Sequence, residues 1–435
     1  MQRKDRNVTA RGGGPPFTEQ AWAGSLESPY YRESHIKLRN YIRQYLESEV
    51  FPYAEEWELK GEVPRQAYDV HAAKGFILPG LPRKYRNGKN LPADIPDEEW
   101  DLFHSLIITE ETSRSPHMGP IWGLGSANTI SCPAILNFGT EEQRMKYLPD
   151  VHSGKIRFCL GITEPEAGSD VSSIRSTAKL SSDGKHFIVN GSKKWITNGI
   201  WADYIVSAVR TSSTASGASG ISLLIIPLSS PGITRRRIAN SGVHASGSTF
   251  ILFSDVVVPR ENLLGEENKG FKMVMSNFNP ERLHLAGSAL QMARTCYREA
   301  YGHALRRKTF GKALIENQVM RAKFAGMARM IESAHAWMEQ IVWHIVQHPR
   351  SEQTADVGAR LALLKVQSGK VLEYCCREAQ QVFGGLGYSK EGPGRVVEQI
   401  SRDLRVLVVG GGSEEILDDL GIKLTLSLAQ SKASL

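Results

Sequence analysis

Ile162-Thr163-Glu164-Pro165-Glu166-Ala167-Gly168-Ser169-Asp170 stands where the hydrophobic pattern of this chain changes period. Upstream, over residues 33–150, apolar positions recur three and four apart, as on amphipathic helices. Tyr41, Ile42, Tyr45, Leu46 and Val50 form one such face. Residues 101–114 read as another helix, and Thr140-Glu141-Glu142-Gln143 as a capping box opening a third, which Pro149 is expected to end. Downstream, over residues 157–264, strand-like runs such as Phe187-Ile188-Val189 alternate with turn signals. Asp183-Gly184 and Asn190-Gly191 bracket one short strand with the residue chemistry of tight hairpins. Residues 211–220, rich in Ser, Ala and Gly, read as a mobile loop, and 248–259 as a strand closed by Pro259. After Gly270 helical periodicity returns and holds to about Leu428; residues 281–307 contain no proline and many helix formers.

Helices, a β unit, then helices define an α+β chain with a small β domain between two helical ones. The expected divisions are a flexible segment at 1–27, an N-terminal helical domain at 28–155, a middle β domain at 156–268 and a C-terminal helical domain at 269–430. With 435 residues, 41% of them hydrophobic and 23% charged, the chain is long enough to bury a sizeable core. No apolar run approaches the roughly 20 residues of a membrane span. The five cysteines (Cys132, Cys159, Cys296, Cys375 and Cys376) show no paired framework, which suits a reducing compartment and speaks against structural zinc. No secretory signal is expected, and Ala433-Ser434-Leu435 only loosely matches a peroxisomal tripeptide, so the compartment stays open. The net charge of +7 is dispersed, with short clusters at Arg235-Arg236-Arg237 and Arg306-Arg307-Lys308, and does not form a nucleic-acid-binding stripe.

Val406-Leu407-Val408-Val409-Gly410-Gly411-Gly412-Ser413 imitates a strand entering a dinucleotide-binding loop. A Rossmann site needs a βαβ unit and an acid about 20 positions further on, but only 22 residues remain after Ser413 and the third glycine of the fingerprint is missing. An NAD-dependent dehydrogenase is therefore the weaker reading.

The segment at 162–170 offers hydroxyls and small residues that let backbone N–H groups approach a carbonyl-rich or anionic ligand; a plain turn is the bland alternative. It is followed by Trp195-Ile196-Thr197-Asn198-Gly199, then Arg307-Lys308-Thr309-Phe310-Gly311-Lys312 and Gln318, then Gln381-Val382-Phe383-Gly384-Gly385 and Arg402-Asp403. In this order, over almost the whole chain, these motifs resemble the acyl-CoA dehydrogenase family. The resemblance implies a middle domain of β-barrel-like form, a C-terminal four-helix bundle and FAD as cofactor. It implies that Ile162 and Thr163 bond the pyrimidine edge of the flavin, that Trp195 covers its face, that Thr197 reaches toward N5, and that Ser169 lies near both flavin and acyl-CoA. Arg307, Phe310, Gln318, Gln381 and Gly385 would cradle the FAD of a neighbouring subunit, in a homotetramer built as a dimer of dimers. Ser413 and Glu415 stand where the family also contacts FAD, and Arg282 is a substrate-binding candidate.

The implied reaction removes the α-proton of an acyl-CoA to a carboxylate while the β-hydrogen leaves as hydride to the flavin, with donors to the thioester carbonyl stabilising the enolate. Electrons would pass to an electron-transfer flavoprotein. A flavin oxidase using oxygen and a non-catalytic nucleic-acid-binding relative remain alternatives. The sequence departs from the family's pattern at two places. Gly411 stands where many members have the catalytic glutamate, so only its backbone N–H can serve the substrate. Glu281, in Phe278-Asn279-Pro280-Glu281-Arg282-Leu283, resembles the base of the isovaleryl- and long-chain-type branches. Its bland reading is a helix start with Asn279 as cap and Pro280 in first position. The other departure is residues 241–249, where the family often has an arginine near His244.

Overall fold

The computed structural model describes residues 15–24 and 26–433. It opens with helices α1 (Glu33–Glu49), α2 (Ala54–Lys60), α3 (Arg65–Ala73), α4 (Leu102–Thr112), α5 (Met118–Gly123), α6 (Ser126–Phe138) and α7 (Glu141–His152). The three-and-four spacing of α1 puts Leu38, Ile42, Tyr45 and Leu46 into the core. Asp101 caps α4, accepting from the Phe103 N–H at 3.0 Å. The capping box of α7 forms as its spacing predicts, with Thr140 and Gln143 exchanging bonds at 3.1 and 3.2 Å. Gln143 Nε2 also donates to the carbonyls of Glu261 and Leu263, so the cap ties α7 to the sheet. Pro149 does not end this helix. It lies inside α7, where its missing N–H costs one backbone bond and its ring is buried.

The expectation of a flexible segment at 1–27 fails over its described part; residues 1–14 lie outside the described residues. Thr18 and Gln20 are buried, Gln20 Nε2 donates to Gln291 Oε1 at 2.9 Å, and Glu19 pairs with Arg39 and Arg43. Buried apolar contact and paired charge hold this strap across the helices.

The middle region is one sheet of β1 (Phe158–Gly161), β2 (Thr177–Leu180), β3 (His186–Ile196), β4 (Tyr204–Arg210), β5 (Ile221–Pro227), β6 (Ile233–Arg237), β7 (Thr249–Pro259) and β8 (Leu263–Leu264). Its order is β6-β7-β3-β2-β4-β5-β8, with β1 parallel to β4. No pairing joins β6 to β8 among the described residues, so the barrel-like form is an open sheet. Asp183-Gly184 turns the β2–β3 hairpin, but Asn190-Gly191 does not turn the chain. It lies within β3, where the register against β7 shifts between Val189 and Gly191 as a bulge. Residues 211–220, expected to be mobile, include a short 3-10 stretch (Thr214–Gly220), and Arg210 Nη1 bonds the Gly217 carbonyl at 2.9 Å.

Helix α8 (Gly270–Arg306) then runs for 37 residues. A small hairpin, β9 (Lys308–Thr309) and β10 (Lys312–Ala313), leads to α9 (Gln318–Gln347), α10 (Ala355–Phe383), α11 (Arg395–Val409) and α12 (Glu414–Ala433). Helix α10 packs on α8, α9 and α11, completing the bundle, and α12 adds a further helix against α10. Asn279 and Pro280 are not a helix start. They lie inside α8, and Asn279 Oδ1 accepts from Arg282 Nη1 at 3.0 Å. The strand-like Val406–Val409 is the last turn of α11, because α11 buries Leu404, Leu407 and Val408 at helical spacing.

One core runs from α1 and α4 into α8–α11. A second joins α6, α7 and the start of α8 to one face of the sheet, and a third covers the other face. The two helical regions and the sheet thus meet around the first half of α8.

Candidate active site

At that meeting point lies a cavity of about 1330 Å³, lined by residues from α4, α6, α8, α11, α12 and the sheet. Ile162, Thr163, Ser169, Trp195, Thr197, Glu281, Arg282, Gly411 and Ser413 all line it. The two motifs of the sheet are brought side by side, because the Lys194 N–H donates to the Thr163 carbonyl at 2.9 Å.

Glu164 shapes the first motif rather than facing the cavity. Its carboxylate accepts from the backbone of Arg175 and Ser176 and pairs with buried Lys193 at 2.7 Å. Burial alone would raise its pKa, but the Lys193 charge and these donors outweigh that and hold it low. Lys193 in turn is lowered by burial to about 8, and its Nζ also donates to the Ile162 carbonyl at 3.1 Å.

Trp195 sits at a second register shift of β3, between Lys193 and Ile196, with φ of 65°. A bulge re-aims a side chain, and a left-handed conformation is costly for a bulky residue. The result is an indole left 52% exposed beside the cavity, with Lys194 Nζ 4.6 Å from a ring centroid. The hydroxyls of Thr163, Ser169 and Thr197 make no hydrogen bond among the described residues. An uncovered aromatic face with unused hydroxyls around it fits a planar, polar ligand such as a flavin.

Glu281 lines the same cavity. One carboxyl oxygen, Oε2, is buried without a hydrogen-bond partner. Burial pushes the group up to about 7 against the opposing charges of Arg282 and Lys365. What surface the residue retains faces the cavity.

Gly411 faces Glu281. A Cβ at this position would stand 4.0 Å from Glu281 Oε1 and 2.8 Å from Leu285 Cδ1, and φ is 67°, so the site requires glycine. The Gly411 N–H makes no hydrogen bond among the described residues. The glycine run is braced from two sides. Arg282 Nε donates to the Gly411 carbonyl at 3.4 Å, and Lys365 Nζ donates to the carbonyls of Val408 and Gly412. Arg282, expected to bind substrate, lines the cavity and gives two of its five donors to Asn279 and Gly411.

The remaining candidates are not brought to the cavity of their own chain. Arg307, Phe310, Gln318, Gln381 and Gly385 are exposed. Arg307 directly follows the last residue of α8, about seven turns and roughly 39 Å along the helix from Glu281. Phe310 and Gly311, both with positive φ, form the two-residue turn between β9 and β10, which holds the phenyl ring 99% exposed. Glu415 is exposed in the first turn of α12, where its own backbone N–H and the Ser413 hydroxyl hold it low.

Two quoted features are structural. Asp403 accepts from the Met118 and Val243 N–H groups and Gln399 Nε2, joining α11 to α5 and the sheet region; burial raises it to about 6. Residues 241–249, where no arginine stands beside His244, are held by Asp403 and by Glu58, which accepts from the His244 and Ala245 N–H groups. Sequence reading missed His284, Thr109 and Lys365. His284 lies three residues after Glu281 and so on the same helix face, a spacing that would have found it; Lys365 carries no such signal.

The helix–sheet–helix fold encloses one cavity lined by both the Glu281 carboxyl and the Trp195 indole. Family profiles cover the chain in three parts: the acyl-CoA dehydrogenase N-terminal domain at residues 32–155, the middle domain at 159–256 and the C-terminal domain at 268–423. An acyl-CoA dehydrogenase of Alternaria alternata is 44% identical over 413 residues, 94% of this chain and 95% of that one. One from Emericella nidulans is 39% identical, covering 96% of each. The crystal structure of a probable acyl-CoA dehydrogenase from Mycobacterium abscessus superposes with a TM-score of 0.82 at 32% identity, covering 91% of this chain and 99% of that one. The chain belongs to the acyl-CoA dehydrogenase family, whose members are FAD-binding flavoproteins, and is an oxidoreductase.

Proposed function

We propose that this enzyme converts an acyl-CoA thioester to the trans-2-enoyl-CoA, with Glu281 as the base and an electron-transfer flavoprotein as the electron acceptor. The observation that carries this reading is the Glu281 carboxyl, set in the cavity wall with an unpartnered oxygen and raised to about 7. A base in that range holds enough carboxylate near neutral pH and accepts a proton more readily than an ordinary glutamate. The thioester carbonyl would accept from the Gly411 N–H, stabilising the enolate as the α-proton moves to Glu281. Glycine at 411 leaves the space that a second carboxylate would fill.

Ile162, Thr163, Ser169, Trp195, Thr197 and Ser413 would hold FAD from this chain, and Arg307, Phe310, Gln318, Gln381 and Gly385 of a second copy would complete its site. Bound FAD supplies the acceptor for the β-hydrogen as hydride. Arg282 and Lys365 keep the glycine run at its distance from Glu281 and temper the carboxyl's rise in pKa. The test is Glu281→Gln in anaerobic single-turnover reduction by an acyl-CoA panel. FAD content and acyl-CoA binding should persist while the reduction rate falls by about 10³-fold or more. A rate within a few-fold of wild type would remove Glu281 from the role.

A further inference from the structure

One turn along α8 from Glu281, His284 lines the same cavity. Its Nδ1 lies 2.7 Å from Thr109 Oγ1, and the Thr109 hydroxyl lies 3.0 Å from the Ser105 carbonyl. The single Thr109 proton serves one of the two: given to Ser105, it leaves Thr109 to accept from His284 Nδ1–H and the lone pair on Nε2; given to His284 Nδ1, it leaves the imidazole proton on Nε2. In both tautomers Nδ1 is engaged and Nε2 is left to pair elsewhere. The side chain is exposed, and it lines the cavity. Nε2 has no partner among the described residues. A further turn on, Ser288 accepts from Ser113 at 2.9 Å, also on the cavity wall. These polar groups stand among Leu102, Leu106 and Leu285.

We infer that the acyl chamber reads a hydroxyl on its substrate, hydrogen-bonded to His284 Nε2, and that the physiological acyl thioester is hydroxylated beyond the β-carbon. The inference rests on the proposed reading of the cavity as an acyl-CoA site. Residues three apart on a helix have Cβ atoms about 5–6 Å apart, which sets the hydroxyl a few carbons from the carbon that meets Glu281. A plain alkyl chain laid there would bury Nε2 unpaired, at a cost that a hydroxyl, able to donate or accept, avoids. Thr109 is a positioning residue: it holds Nδ1 and leaves Nε2 for the substrate.

The test uses the holoenzyme and non-reactive thioether analogues of acyl-CoA, one unsubstituted and the others hydroxylated at successive carbons beyond the β-carbon, with affinities measured by calorimetry. One hydroxylated analogue should bind about tenfold or more tightly than the plain chain. His284→Leu should abolish or reverse that ratio, His284→Gln should restore part of it through its amide oxygen, and Thr109→Val should reduce it. Equal affinities in the wild type, or a ratio unchanged in His284→Leu, would overturn the inference while leaving the dehydrogenase reading intact. Failure of every analogue to bind would contradict both.

Discussion

Glu281, inside α8, and Arg307, just past its C-terminus, place opposite demands on their side chains. At Glu281 the helix passes through the meeting point of three cores, and the carboxyl is enclosed, short of partners and raised to about 7. At Arg307 the helix emerges into solvent, and the hairpin that follows holds Phe310 99% exposed. One end has the chemistry and no means of holding an extended cofactor along its whole length. The other has a cation and an aromatic knob with nothing to bind in its own chain. Roughly 39 Å of helix separates them, so the cofactor at one chain's carboxylate would need the far end of another chain's helix.

The largest effect expected from breaking this division is at the exposed end. Arg307→Ala combined with Phe310→Ala should raise the FAD dissociation constant about 10- to 100-fold by removing a charge-assisted phosphate contact and an aromatic one, and should shift the oligomer toward smaller species in sedimentation. At saturating FAD the reductive rate should stay within a few-fold of wild type. Unchanged FAD affinity would mean that the exposed end serves no second subunit.

At the buried end the expected effect is on stability and its pH dependence. The folded pKa of Glu281 is raised from 4.5 to about 7. A raised carboxyl contributes fully at pH below the unfolded value and loses that contribution as pH rises through the folded one. Glu281→Gln should therefore gain stability relative to wild type between pH 4.5 and 7, by ~2–3 kcal/mol, and level off above. Denaturant melts across that range measure it; a difference that stays flat would place the carboxyl in a solvated setting.

These contrasts mark how much was legible in the sequence. The order of helices and strands followed from periodicity, and the pairing of Glu281 with a glycine at 411 followed from family resemblance. Pro149 and Pro280 misled because burial on long helices outweighed the loss of one backbone bond at each. Asn190-Gly191 misled because glycine serves a bulge as readily as a turn. His284 was within reach of its three-residue spacing from Glu281, but Thr109 was not, because its contact with His284 spans α4 and α8 and no local spacing encodes it.

A smaller effect is expected at Gly411. Gly411→Ala brings a Cβ to 2.8 Å from Leu285 and forces a side chain into left-handed backbone, costing about 1–2 kcal/mol of stability. FAD affinity should not change, because Gly411 belongs to the proton-transfer end. A loss of FAD in this variant would show that the two ends are not separate.

Proton abstraction can be read apart from hydride loss with an acyl-CoA whose β-carbon is quaternary, since it has α-hydrogens to lose and no β-hydrogen to transfer. In deuterated water, wild type should exchange the α-hydrogens of this compound, and the exchange rate should rise with pH through about 7. Glu281→Gln should show no exchange above the uncatalysed rate. Exchange by Glu281→Gln at the wild-type rate would show that another group takes the proton, and that Glu281 is not the base.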